Sequence, residues 1–411
     1  MNGPLQRHPS ARLVEPAPAP LSQLKVALVH DYLNQMGGAE KVVEVFHALF
    51  PTAPIYTSVY DRSVMPPSFA SMDVRTSFMQ RITPRLNWVK PLLPLYPLAF
   101  EQFDLRGYDL VLSSTTAFAK GVLTRPETCH VCYCNSPFRF LWMYQEYLEY
   151  ERMTRARRFL LPMIASLLRP WDFAAAQRVD YFLAGSVNSA ARIRKFYRRP
   201  AVVIPSPIET DRFHISDAHD DYYLTVGRLQ SYKRIDLAIA ACNELQRPLT
   251  IVGNGPDRAR LERLAGPTVR FLGRVADADL SRLLSRCRAL LWPGEEDFGL
   301  APLEAQASGR PVIAYARGGA LETVRDGETG ILFQPQTVSG VVTAIERADA
   351  LPDNPTALRD HARQFDVRVF ATRLCAELER TMLLHRSAMA SDGTPTLPRG
   401  VGSRPQDHRW P

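Results

Sequence analysis

From Lys25 onward, short apolar runs alternate with stretches whose apolar positions recur at helical spacing. Val26-Ala27-Leu28-Val29 predicts a strand, Ala39 to Phe50 a helix, and Ile55 to Val59 another strand. Leu110-Val111-Leu112, Val131-Cys132-Tyr133 and Tyr181-Phe182-Leu183-Ala184 predict further strands. A second alternating set runs from Tyr222 to about Ala350, and Val202 to Pro207 between the sets predicts a hinge. Strands separated by helices imply parallel sheets with right-handed crossovers, hence an α/β protein of two doubly wound, Rossmann-like domains. The divisions predicted are a disordered Pro-rich arm at 1–23, an N-terminal domain at 24–205 and a C-terminal domain at 206–354. A helical segment at 355–386 and a disordered tail at 387–411 complete the chain.

Ala289-Leu290-Leu291-Trp292-Pro293 is an apolar segment predicting a buried strand. It leads into Glu296-Asp297-Phe298-Gly299-Leu300 and a short helix through Glu304, stopped by Gly309. Strand, acidic loop and helix N-terminus in that order aim free N–H groups and the positive end of the helix dipole beyond the strand's carboxyl edge. A phosphate fits there, and Glu296 and Glu304 can accept hydrogen bonds from sugar hydroxyls. Other residues carry weaker signals. His30-Asp31-Tyr32 and Gly37-Gly38-Ala39-Glu40 follow the first strand, where a glycine pair entering a helix allows close approach to a ligand and equally suits a plain turn.

The segment from Glu296 to Glu304 resembles the E-x7-E signature of the retaining family-4 glycosyltransferases, which have the two-domain GT-B fold. Gly227-Arg228-Leu229 with Lys233 resembles that family's phosphate clamp, and Phe271 to Val275 its strand lining the nucleobase pocket. Ile251 to Pro256, Gly318-Gly319 with Glu322, Asp326-Gly327 and Gly330 to Phe333 extend the likeness from Tyr222 to Phe333. The resemblance implies that Arg228 and Lys233 stabilise a departing diphosphate, that Glu296 meets the donor sugar and that Glu304 holds ribose hydroxyls. It implies donor contacts from Gly37, Gly38, Gly227, Val275, Phe298, Gly299 and Leu300. It makes His30 a candidate for orienting the acceptor, with Asn135 and Arg139 on the acceptor side. Asn135 stands where the family commonly has histidine; asparagine cannot act as a base near neutral pH, which suits a mechanism in which the departing phosphate takes the acceptor's proton.

Taken with Val29 to Tyr32 and Asn135 to Arg139, the pattern most resembles the WbaZ-like bacterial mannosyltransferases. The implied donor is GDP-mannose and the acceptor a glycan or a polyprenyl-diphosphate-linked acceptor, in bacterial surface or exopolysaccharide synthesis. A UDP-sugar donor would use the same motifs. A GT-B epimerase or hydrolase without a glycan acceptor, or a non-catalytic basic adaptor, are readings of other classes.

Composition refines this. The 411 residues suffice for two or three domains, and 46% apolar content is ordinary for a globular chain. No apolar run is long enough for a membrane span and no secretory signal is evident, so a cytoplasmic location is expected. The six unevenly spread cysteines suit a reducing compartment. Cys129, His130, Cys132 and Cys134 lie in one predicted strand whose alternation divides them between faces, predicting buried thiols rather than a zinc site. Asp277-Ala278-Asp279 matches a D-x-D metal motif but opens a predicted helix, where capping explains it. No metal and no cofactor beyond the donor are expected. A net charge of +8 points to an anionic partner. No nucleic-acid module is present. The acid-free segments 74–100 and 152–171 mix arginines with bulky apolar residues, Trp88 and Phe159 among them, and Arg192, Arg194, Lys195, Arg198 and Arg199 follow. This suits peripheral binding to the anionic inner face of the plasma membrane, or an ordinary solvated cationic surface.

Overall fold

The computed structural model describes residues 13–82, 90–144, 155–216 and 218–392. The first sheet comprises β1 (Val26–His30), β2 (Ile55–Thr57), β3 (Val74–Thr76), β4 (Leu110–Thr115), β5 (Cys129–Cys134), β6 (Tyr181–Ala184) and β7 (Val202–Val203), in the order β3-β2-β1-β4-β5-β6-β7. The second comprises β8 (Tyr223–Val226), β9 (Leu249–Val252), β10 (Val269–Gly273), β11 (Ala289–Trp292), β12 (Val312–Tyr315) and β13 (Gly330–Phe333), in the order β10-β9-β8-β11-β12-β13. Every pairing is parallel. Strand order reverses between β1 and β4 and between β8 and β11, and a ligand crevice opens beyond the carboxyl ends at such points. The helices that matter below are α1 (Gly38–Leu49), α2 (Arg155–Gln177), α3 (Val187–Tyr197), α4 (Ile235–Glu244), α5 (Asp277–Arg286), α6 (Leu300–Ala307), α7 (Val338–Ala348), α8 (Pro355–Arg363) and α9 (Val367–Asp392).

Parallel strands covered on both faces are buried at every position, as in β1 and β5, which are apolar but for His30 and His130. Alternation still sorts the side chains. Val26, Leu28, Cys129, Val131 and Tyr133 join one core with α1, and Ala27, Val29 and Val111 join another with Phe100 and Phe118. Cys132 and Cys134 enter a third with Ile193 and Tyr197. All six cysteines are buried, and for Cys129, Cys132 and Cys134 this is what the alternation predicts. α4 and α7 cover one face of the second sheet.

The sequence-based divisions need three corrections. The arm is ordered from Leu13: Val14, Ala17 and Leu21 are buried, and the Ala17 N–H donates to the Leu49 carbonyl at 2.9 Å. Its apolar residues are too few to show periodicity but fill the space beside α1. The helical C-terminal segment is two helices, and the second continues to Asp392, past the predicted start of the tail. α8 packs on α6, whereas α9 returns to the first domain and buries Val367, Phe370, Leu374, Leu378 and Met382 in its core. Val202–Val203, assigned to the hinge, is an edge strand. The two passages between domains meet just beyond it. Ile208 accepts from the Val367 N–H at 2.8 Å and donates to the Phe365 carbonyl at 3.0 Å. The remainder of the tail lies outside the described residues.

Glu44, on the buried side of α1, accepts from the Ser68 hydroxyl at 2.9 Å. Burial pushes its carboxyl up to about 7; nearby Glu209 adds to this and Ser68 opposes it. A folded-state pKa above the ordinary 4.5 means that the fold holds this proton through the window between them. Its contribution is therefore complete below the lower value and is lost as pH rises toward about 7. Urea melts of Glu44→Gln should show less loss of stability across that window, by on the order of 3 kcal/mol at 1.36 kcal/mol per pKa unit. Identical pH dependence in the variant and the parent would contradict this assignment.

Candidate functional site

β11 ends at Trp292, and residues 293–299 carry the chain over the sheet edge into α6. Gly299 makes the entry at φ 90°, which a side-chain-bearing residue rarely adopts. The loop rests on Gly318 and Gly319. The Gly319 N–H donates to the Glu296 carbonyl at 2.9 Å, and a Cβ on Gly319 would lie 2.1 Å from the Phe298 carbonyl oxygen. The glycine pair is therefore a requirement of backbone contact beneath the acidic loop. Beyond Phe298, which is buried against Phe365, α6 runs through Glu304 to Ala307, with Gly309 past its end.

Lys233 and Glu296 come together. Lys233 Nζ donates to Glu296 Oε1 at 2.5 Å and lies 4.6 Å from the Trp292 ring centroid. Burial lowers the Lys233 pKa, but the Glu296 carboxylate more than offsets this and the net shift is upward. The ammonium is thus held charged in a poorly solvated place. These two residues line a small cavity with Thr225, Val226, Ile235, Trp292, Pro293 and Gly294. Gly227 lies beneath the Lys233 side chain. Val275 sits in the loop before α5, partly buried against the core that holds Trp292 and Phe298. Arg228 does not join this pair; exposed at the cleft, it reaches Gln35 of the first domain at 3.4 Å.

The first domain faces this loop closely. A Cβ on Gly38 would meet Leu300 Cδ1 at 3.1 Å, and Gly37 caps α1. Lys41 Nζ donates to Glu304 Oε1 at 2.9 Å across the cleft. Arg139 Nε lies 3.6 Å from Asp297 Oδ2, and its guanidinium lies over the Tyr232 ring. Asn135 Nδ2 donates to Ser114 Oγ at 3.1 Å. Asp31 shapes the wall beside it by accepting from the N–H groups of Ala117, Phe118 and Ala119 at 3.0, 2.7 and 2.6 Å.

Several expectations need adjustment. His30 is 1% exposed, with Nδ1 facing the Ser114 carbonyl at 3.1 Å and Nε2 facing Glu40 Oε1 at 3.5 Å. Burial lowers its pKa, Glu40 raises it further, and the net direction is upward. In this arrangement neither nitrogen is offered to an acceptor hydroxyl. Asp277 and Asp279 lie in the first turn of α5, whose N-cap is Ala276 with no side-chain cap bond. Asp277 instead pairs with Arg212 and Asp279 with Arg282. Among the described residues, the metal-ligand grouping that does form joins Cys129 with Asp180 and His385, their ligand atoms within 4.8 Å of one another. It uses none of the other residues of the Cys129–Cys134 run. In the basic segments, Arg75 is paired with Asp73 and Arg192 with Asp297 and Glu295, so neither is a free surface cation. Trp88 and the side chains of Arg155, Arg157, Arg158 and Phe159 lie outside the described residues.

Sequence reasoning missed Lys41 and the roles of Asp31, Arg192 and Asp297. Asp297 is adjacent to Glu296, and that adjacency was a usable signal. The others had none, because their partners are far away along the chain.

Residues 208–365, less than half of the chain, match the family model "Glycosyl transferases group 1". The chain is 38% identical over 152 residues to glycogen synthase of Mycobacterium tuberculosis (strain ATCC 25618 / H37Rv), covering 34% of this chain and 36% of that one. It is 29% identical over 201 residues to O-antigen chain mannosyltransferase C of Escherichia coli, covering 44% and 54%. The chain thus spans about a third to a half of the length of these curated relatives. Among solved structures, sucrose-phosphate synthase of Thermosynechococcus elongatus superposes with a TM-score of 0.69 at 20% identity, covering 87% of this chain and 99% of that one. The chain has the GT-B fold, and residues 208–365, in its second domain, match the glycosyl transferases group 1 model.

Proposed function

We propose that this protein is a retaining, metal-independent glycosyltransferase that moves a hexose, mannose from GDP-mannose, to a glycan acceptor carried on a lipid diphosphate. The observation that carries the reading is the Lys233–Glu296 pair at the mouth of the 293–299 loop, with Glu304 one helix turn beyond and the first domain closed over both. The match of 208–365 to the glycosyltransferase model supports the reaction class, and the partial likeness to the O-antigen mannosyltransferase supports the sugar.

In this reading Glu304 accepts from the ribose hydroxyls, Glu296 from the hexose, and the donor diphosphate lies against Lys233 and the α6 N-terminus. The bond from the anomeric carbon to the diphosphate breaks, and the acceptor oxygen bonds to that carbon on the same face. The acceptor's proton passes to the departing phosphate oxygen, which is consistent with Asn135 being no base and His30 being enclosed. Charge grows on the diphosphate as the bond breaks, and Lys233 and Arg228 stabilise it at that moment. Lys233 is pre-placed by Glu296. Arg228 swings from Gln35.

Anionic membrane association at the inner leaflet belongs to this reading. Met163 and Leu167 on α2 are 54% and 78% exposed, in a segment of five arginines and no acid. No described helix is long and apolar enough to cross a membrane. The exposed apolar positions beside basic residues suit an interface instead.

Purified protein incubated with a panel of sugar nucleotides, with and without a polyprenyl-diphosphate-linked glycan, should consume GDP-mannose only when the glycan is present and form an α-linked product. Consumption of a UDP-sugar, or turnover without acceptor, would replace the proposed reaction. Lys233→Ala and Arg228→Ala should each lower kcat about 10²–10³-fold, in line with removing one oxyanion donor, without changing the circular dichroism spectrum. A chelator should leave the rate unchanged, and rescue by manganese after chelation would contradict the metal-free scheme.

Flotation with liposomes tests the membrane. Binding to anionic vesicles should weaken steeply with salt, and Leu167→Asp or charge reversal at Arg155, Arg157 and Arg158 should abolish it. Indifference to anionic vesicles at low salt would point to a soluble acceptor.

A further inference from the structure

Among the described residues, the ion pairs that span the cleft share one polarity. Lys41, Arg139 and Arg192 come from the first domain, and Glu304, Asp297 and Glu295 from the second. Arg192, in the second turn of α3, is the most enclosed of these cations, its side chain 11% exposed. One guanidinium nitrogen pairs with Asp297 Oδ1 and the other lies 3.3 Å from Glu295 Oε1. Asp297 thereby receives Arg192 on one oxygen and Arg139 on the other. The same helix makes a second contact. Its first amides, Val187 and Asn188, donate to the Glu322 carboxylate at 2.8 and 3.0 Å. Glu322 belongs to the turn that begins at Gly319, whose own N–H holds the Glu296 carbonyl.

The acidic loop is therefore gripped from above at Asp297 and from below at Gly319, and α3 of the opposite domain is tied to both supports. We propose that Arg192 is a positioning residue. By pairing with Glu295 and Asp297, immediately before and after Glu296, it holds the 293–299 loop in the form that sets Glu296 against Lys233 when the domains are closed. Its catalytic consequence rests on the glycosyltransferase reading above; its effect on closure does not.

Three physical points support the assignment. A planar guanidinium facing two carboxylates is oriented as well as attracted, which an ammonium would not be. The pairs lie in a partly water-excluded cleft, where an ion pair is screened less than at the surface. Arg192 is not among the residues that line the Lys233 cavity, and the carboxylates it pairs with belong to the loop, so the loop carries its influence.

The test combines small-angle scattering with steady-state kinetics on Arg192→Gln, Arg192→Lys, Asp297→Asn and the Arg192→Gln/Asp297→Asn double variant. At low salt, Arg192→Gln should show the larger radius of gyration that the parent reaches only at high salt. At saturating donor its kcat should fall 10- to 100-fold while the donor KM stays within threefold, because the charged donor contacts proposed above, Lys233, Glu296 and Glu304, lie on the second domain. Arg192→Lys should recover part of kcat. The double variant should lose less than the sum of the two single losses, since the Arg192–Asp297 pair is removed by either change. A folded Arg192→Gln protein with unchanged scattering and unchanged kcat would overturn the proposal, as would fully additive losses in the double variant. If the parent transfers no sugar from any nucleotide, the proposed activity has failed and scattering alone decides: opening upholds the role of Arg192, and no opening overturns it.

Discussion

A parallel sheet delivers the carboxyl ends of all its strands to one edge, and this chain turns two such edges toward each other. That constraint places every residue of the candidate site. Asp31, Thr116, Asn135 and Gly185 leave the first sheet where Gly227, Pro293 and Ala316 leave the second. The arrangement holds because the last helix does not stay with its own domain. α9 crosses back and contributes Phe370, Leu374 and Leu378 to the first core, so the two domains are joined by two passages rather than one. Where these passages meet, Ile208 and Asp366 pair as a short parallel bridge, and Asp366 also accepts from Thr210 N–H and hydroxyl. A joint with two chains and paired backbone groups leaves hinge motion about one line as the easy movement.

Within the cleft, opposite charges neutralise one another, on one wall at Lys233 and across the two walls at Lys41 and Arg192. Lys233 holds Glu296, Lys41 holds Glu304, and Arg192 holds Asp297. Removing either member of such a pair would strand a charge in a poorly solvated place, which costs more than the pair itself is worth. The same logic appears in the core, where the fully buried Lys120 ammonium pairs with Asp172, which also accepts from the Trp142 indole at 2.7 Å. There the purpose is structural: it fixes the start of the 119–121 turn against α2. In the function proposed above, the cleft pairs are exchanged for hydroxyl and phosphate partners.

Much of the fold was legible along the chain. The alternation of apolar runs and helical spacing marks the strands and two doubly wound units, since burial on both faces leaves a local, periodic trace. The short edge strands β3 and β7 left none: two or three residues are too few to show a period. The packed arm from Leu13 was read as disorder because its Pro-rich composition resembles a linker and its three buried residues are not periodic.

At the site, the sequence by itself determined the pieces that are local. Glu296, Phe298, Gly299 and Glu304 belong to one strand–loop–helix unit, and their spacing alone sets their relative places. What only the tertiary structure decided is which distant groups meet them. Lys41 and Glu304 are 263 positions apart, Asn188 and Glu322 134, and Asp31 and Ala119 88. It also decided exposure: His30 is sealed between Ser114 and Glu40, Arg228 stands free of Lys233, and Arg192 is spent on Asp297. The reason is physical. Local spacing encodes backbone geometry within one element, whereas desolvation and ion pairing depend on which surfaces the closed chain brings together.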